Sequence, residues 1–183
     1  MILKTIKERR SVFPAQYTSD KVTKEQINQL LEAANWAPSH RKTEPWRFYV
    51  ITEDKLRELG DFLAEAYKES TDAFSEFKFE KIKSKPTQAS HVIVICMHRD
   101  EKERVPEWEE IAATAMAVQN MWLMTTELGL GGYWSSPSLI EQMPKFLSMK
   151  KEEKCLGFFY VGNFEGQISK GDRQPIDDKV TWL

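Results

Sequence analysis

Two cysteines in 183 residues leave little room for a disulfide framework or a metal cage. Cys96 and Cys155 both fall in apolar, strand-like runs, where a free thiol acts as a small hydrophobe, and the pair fits a reducing compartment. Long hydrophobic runs are absent too. The longest, Val92 to Met97, is far too short to cross a bilayer, and the opening Met-Ile-Leu-Lys-Thr-Ile-Lys-Glu-Arg-Arg is too polar for a signal peptide. Net charge is only -2, from 26 basic and 28 acidic residues, with no basic stretch to attract a nucleic-acid backbone. The three histidines, His40, His91 and His98, lack the helical H-x-x-x-H spacing of a metal site. No Gly-Lys-Ser/Thr phosphate loop is present, and no G-x-G-x-x-G follows a strand. What is left is a cytoplasmic, single-domain protein that needs neither membrane nor nucleic acid, with 41% hydrophobic residues and six Trp to build its core.

The chain reads as alternating helices and strands. Ile2 to Glu8 is predicted as a short helix with Leu3 and Ile6 on one face, running into Arg9-Arg10-Ser11, a pattern able to clamp a phosphate. Thr23 and Gln26 form a capping-box signature before Ile27, Leu30, Leu31 and Ala34, which repeat at helical spacing. Between Asn35 and Trp46 two prolines stop that helix, and Pro45 is expected to hold Glu44 extended. Ser39, His40, Arg41 and Thr43 make this loop stiff and rich in donors, suited to the edge of an anionic cofactor.

Arg47 to Thr52 reads as a strand, with Thr52 capping a helix from about Glu53 whose apolar face carries Leu56, Leu59, Leu63 and Ala66. Ser70 to Ser90 reads as a weak helix and polar loop. His91 to Met97 has the continuous Val/Ile pattern of a strand buried on both faces. Pro106 opens the longest helix, with Glu107, Glu109 and Glu110 near its positive end. That helix is apolar nearly all round, as a central element or a dimer seam would be. Gly129 ends it, Tyr133-Trp134-Ser135 follows, Pro137 starts a short helix through Phe146, and Leu156 to Val161 is the last core strand. The polar segment 163–183 closes on Val180-Thr181-Trp182-Leu183, an apolar tip that needs burial.

In this order the pieces resemble the flavin-dependent nitroreductase family over nearly the whole chain. The resemblance is carried by Arg9-Arg10-Ser11, Ala37-Pro38-Ser39-His40 through Pro45-Trp46, Val105-Pro106-x-Trp108-Glu109, Gly131-Gly132-Tyr133-Trp134 and Gly157-Phe158-x-Tyr160-Val161-Gly162. It is closest to the compact branch with a Pro-x-His loop. The resemblance implies one α+β domain over 1–183, a sandwich around a central mixed β-sheet flanked by helices. It also implies an interlocked homodimer with C-terminal strand exchange, the arm 163–183 embracing the partner. One FMN in each of two interface sites is implied, with NADH or NADPH as electron donor and a nitro, quinone or similar small molecule as acceptor in a ping-pong cycle.

Carried over by position, Arg9, Arg10 and Ser11 would hold the FMN phosphate and the ribityl and pyrimidine oxygens. Asn35, Pro38, Ser39 and His40 would approach from the other subunit, and Tyr133, Trp134 and Ser135 would line the ring or the phosphate end. Ser135 stands where many relatives have arginine, and Arg173 is a stand-in near the C-terminus. The resemblance names no catalytic acid and no metal ligand. Two alternatives stay open: a non-enzymatic flavin-binding or regulatory protein, and a different flavin reaction such as reductive dehalogenation.

Overall fold

The computed structural model describes residues 2–183. Its elements are α1 (Ile2–Glu8), α2 (Lys24–Asn35), β1 (Trp46–Thr52), α3 (Asp54–Glu69), α4 (Glu76–Ser84), β2 (His91–His98), α5 (Glu107–Glu127), β3 (Gly131–Ser135) and β4 (Glu153–Gly162), joined by loops and short 3-10 turns. The strands form one sheet in the order β1-β2-β4-β3. Among the described residues no helix is long and apolar enough to cross a membrane.

The central strand explains the two layers. Residues 92–97 of β2 are all buried, because alternate side chains enter different cores. Ile93 and Ile95 join Phe159 and Val161 of β4 under α2 and α5. Val92, Val94 and Cys96 join Phe158 and Tyr160 under α3 and the turn Ser138–Lys145. The fold is the α+β sandwich expected. All three strand pairings are antiparallel, however, so the mixed character expected of the sheet is not found within the described residues. The physical reason is that each neighbour enters from the opposite end; a parallel member would have to come from outside these four strands. The outer edge of β1 pairs with no other strand among the described residues.

Local chemistry sets most boundaries. At the start of α2 the Thr23 hydroxyl accepts from the Gln26 amide (3.2 Å) and the Gln26 side chain accepts from the Thr23 amide (2.9 Å), a reciprocal cap. Gly129 takes φ 68° just past α5, the left-handed stop that favours glycine. Thr52, by contrast, is the last residue of β1 and not a helix cap; Glu53 precedes α3 at φ 52° without a side-chain cap. The doubtful region 70–90 contains a real helix, α4. It packs so closely on α3 that a Cβ on Gly60 would fall 2.1 Å from the Lys83 carbonyl. Phe79 and Ile82 lie half-buried against the α3-side core.

Candidate functional site

After α1 the chain docks along β3. The Val12 amide donates to the Gly132 carbonyl (3.1 Å), and the Trp122 indole N–H is shared between the carbonyls of Arg10 (3.2 Å) and Gly132 (3.0 Å). This lays the Arg9 guanidinium over the Trp122 ring, 4.5 Å from its centre. Its Nη1 is buried and has no hydrogen-bond partner. Burial, then the charges of Arg173 and Arg10, hold the Arg9 pKa below its ordinary value. Arg10 instead donates to backbone carbonyls: Nη1 to Lys7 (2.7 Å) and Arg9 (2.6 Å), Nε to Ser169 (3.1 Å). The tail is thereby drawn back over the site, which brings Arg173 close. Among the described residues no carboxylate pairs with Arg9, Arg10 or Arg173. Ser11 lies beside them, exposed.

Strand alternation splits the next three candidates. Tyr133 sits opposite Tyr160 and joins the α3-side core, whereas Trp134 sits opposite Phe159 and packs on the α5 side. Phe13 packs on Tyr133 with ring centres 4.6 Å apart and planes tilted by 50°, joining this strand to the arginine segment. Ser135 accepts from the Lys85 ammonium (3.2 Å), which lies 4.9 Å from the ring centres of both Tyr133 and Tyr160. Lys85 has no carboxylate partner among the described residues, and burial, then Lys81, lowers its pKa. Lys85 and Ser135 border a cavity of about 330 Å³ floored by Leu63, Tyr67, Phe158 and Tyr160.

The proline-bounded loop lies elsewhere. Pro38, Ser39 and His40 line a shallow trough of about 420 Å³ with Trp108, Glu109, Ala112 and Met116 of α5. Ser39 Oγ accepts from the Glu44 amide (3.2 Å), and Arg41, Lys42 and Glu44 take φ of 53°, 54° and 42°. Glu44 is therefore left-handed rather than extended before Pro45, because the local hydrogen bond closes the loop more tightly than the proline alone would. The Asn35 side-chain oxygen is committed to the Trp46 indole N–H (3.1 Å), which ties the loop's two ends together. Asn35 does not line the trough. From Glu109 to Trp122 is 13 residues of α5, about 20 Å at the helical rise. One chain therefore holds the arginine group and the His40 loop at separate ends of one helix.

The Nitroreductase family model matches residues 6–163. This chain belongs to the nitroreductase family. It is 28% identical over 179 residues to YfhC of Bacillus subtilis, whose name includes NAD(P)H nitroreductase, covering 96% of this chain and 91% of that one. A nitroreductase-like protein from Bacillus cereus superposes with a TM-score of 0.85 at 27% identity, over 100% of this chain and 96% of the other. A Desulfovibrio desulfuricans structure in complex with FMN superposes with a TM-score of 0.76 at 26% identity, over 100% and 96% of the two chains.

Within this nitroreductase-family chain, the structure lays the segment of Arg9, Arg10 and Ser11 beside β3, whose Tyr133 and Ser135 face one side of the sheet and Trp134 the other. It sets Pro38, Ser39 and His40 apart. Lys85 was missed from the sequence because Lys78, Lys81, Lys83 and Lys85 look alike there. Pro86 after it opens a 3-10 turn that ends α4, while Lys85 itself keeps helical angles, so the sequence gives no local sign of its burial. Trp122 lies on the helix whose sequence is apolar nearly all round; its role as a platform for Arg9 depends on a contact between distant segments.

Proposed function

We propose that this protein is an FMN-dependent oxidoreductase that moves electrons from NADH or NADPH to a nitro, quinone or similar small acceptor, the donor leaving before the acceptor enters. The observation that carries this is the buried, unpartnered Arg9 Nη1 in a group of guanidiniums without a carboxylate. A buried donor without a partner is costly, and an anionic phosphate would satisfy it. FMN, when bound, supplies the hydride chemistry. Arg9, Arg10 and Arg173 hold its phosphate, and Ser11 and Ser135 offer hydroxyls. Tyr133 and Trp134, which point to opposite faces of β3, border the cofactor at the strand's end from either side, and the Lys85 ammonium beside Tyr133 and Ser135 favours negative charge there. The Bacillus subtilis and Desulfovibrio relatives support the NAD(P)H and FMN assignments.

The reading includes a homodimer in the cytoplasm. Ile2, Leu3 and Ile6 of α1 and Trp108 and Met116 of α5 are exposed, as are Val180, Trp182 and Leu183 of the tail, and β1 has an open edge. A two-fold partner would cover these patches and bring its own Pro38, Ser39 and His40 to this chain's arginines, the pairing that about 20 Å of α5 denies a single chain. Asn35 acts on the same loop through Trp46. Deleting Val180–Leu183 is expected to weaken the dimer at least tenfold by sedimentation, since it removes the exposed Trp182 that the partner would bury. A stable monomer with full FMN would refute the shared site. The function itself is tested by the visible spectrum of the purified protein, before and after anaerobic NADPH or NADH. A flavin band that bleaches is expected; a colourless protein that cannot take up FMN would overturn the reading.

A further inference from the structure

Three glutamates open α5, and each is bonded differently. Glu110 is buried, pairs with Arg99 and accepts from the Asp100 amide (3.0 Å). Glu107 lies 3.3 Å from the Lys154 ammonium. Glu109 has neither lysine nor arginine; its Oε2 lies 2.5 Å from Nδ1 of His40, 69 residues earlier in the chain. The carboxylate side chain is 23% exposed and the imidazole 58%, so the acid is the covered member and the ring the presented one.

An ionised carboxylate only accepts, so the ring atom facing it carries the proton as Nδ1–H. A free neutral histidine ordinarily prefers the other tautomer, with its proton on Nε2. Helix-dipole stabilisation alone would not need a partner for Glu109, and it would leave His40 free to rotate. The contact also pins the start of the loop in which Arg41, Lys42 and Glu44 are left-handed, the kind of strained segment that persists only when its surroundings fix it.

We propose that Glu109 is a positioning residue, which fixes His40 as the Nδ1–H tautomer and leaves Nε2 as the ring atom offered to the cofactor. The tautomer follows from this chain's geometry; what meets Nε2 rests on the flavin reading. The same logic orients metal-ligating histidines, where the bond at one nitrogen decides the state of the other.

The test is ¹⁵N spectroscopy of the imidazoles in the full-length labelled protein, with and without FMN, at a pH where His40 is neutral. The chain has three histidines, so loss of one set of signals in His40→Asn assigns the ring. The wild type and Glu109→Gln, whose amide oxygen still accepts, are expected to hold Nδ1–H. Glu109→Leu is expected to revert to Nε2–H and to raise the FMN Kd about three- to tenfold, the size of one hydrogen bond. The Gln variant should bind FMN as the wild type does. Nε2–H in the wild type, or a Leu variant with unchanged tautomer or unchanged FMN affinity, overturns the proposal. If Glu109→Leu does not fold, the wild-type tautomer and the Gln rescue decide it. Wild-type protein that holds Nδ1–H but takes up no FMN refutes the flavin reading separately.

Discussion

At one end of α5, Arg9 rests on Trp122 with a buried nitrogen that donates to nothing, while at the other end His40 lies 2.5 Å from a carboxylate supplied by the helix itself. The first end gathers Arg9, Arg10 and Arg173 with no acid bonded to any of them among the described residues. The second spreads its charge over pairs: Glu107 with Lys154, Glu110 with Arg99, Glu109 with His40. A buried donor without a partner, like Arg9 Nη1, is costly, and on the proposed function an anionic ligand offsets that cost. Paired groups set shape and orientation. On the proposed function, the arginine end supplies affinity and the histidine end supplies aim.

Arg9→Met attacks that difference most directly. Two charge-assisted bonds of about 1.5–3 kcal/mol each are at stake, so FMN affinity should fall about 100-fold or more by flavin fluorescence titration. The FMN-free variant should melt no lower than the wild type, because the lost group had an unsatisfied donor. A large loss of stability with unchanged FMN affinity would make Arg9 structural. Next in size is Lys85→Met, with FMN affinity down about tenfold and the FMN-free protein more stable at pH 7.

The pH dependence of that second gain has a definite sign. Burial lowers the folded-state pKa of Lys85 below its ordinary 10.5, so between the two values the unfolded chain binds more protons than the folded one. The destabilisation is full below the folded value, shrinks as pH rises through it, and is gone above the unfolded value. The stability advantage of Lys85→Met should therefore fade in alkaline urea titrations. An advantage constant with pH would show that packing, not charge, was the cause. The smallest effect is expected for His40→Ala, about three- to tenfold in FMN affinity, since one exposed ring nitrogen is all it withdraws. A loss as large as that of Arg9→Met would erase the contrast between the two ends.

Much of this was legible without coordinates where one segment contained its own cause. The Thr23–Gln26 cap, the double burial of β2 and the glycine stop after α5 each rest on residues adjacent in sequence. Failures occur where distant segments meet. α4 has little apolar periodicity of its own and is held by its close approach to Gly60 and by Phe74, which stacks between Tyr67 and Phe79. Glu44 disobeys the proline beside it because Ser39 closes the loop. In the candidate site, Arg9 was visible as a motif, but that its nitrogen is buried depends on Trp122, 113 residues on. Lys85 was hidden among similar lysines, and the bond that gives Glu109 its proposed role joins residues 69 apart in the chain.

The length of α5 has a consequence for how flavin content should behave in solution. If each cofactor needs an arginine end from one chain and a histidine end from another, loading is a bimolecular property of the protein. Dilution should then release flavin even with free FMN held constant, because lost partners mean lost half-sites. The fraction of flavin that stays with the protein through a desalting step would fall on dilution and recover on reconcentration.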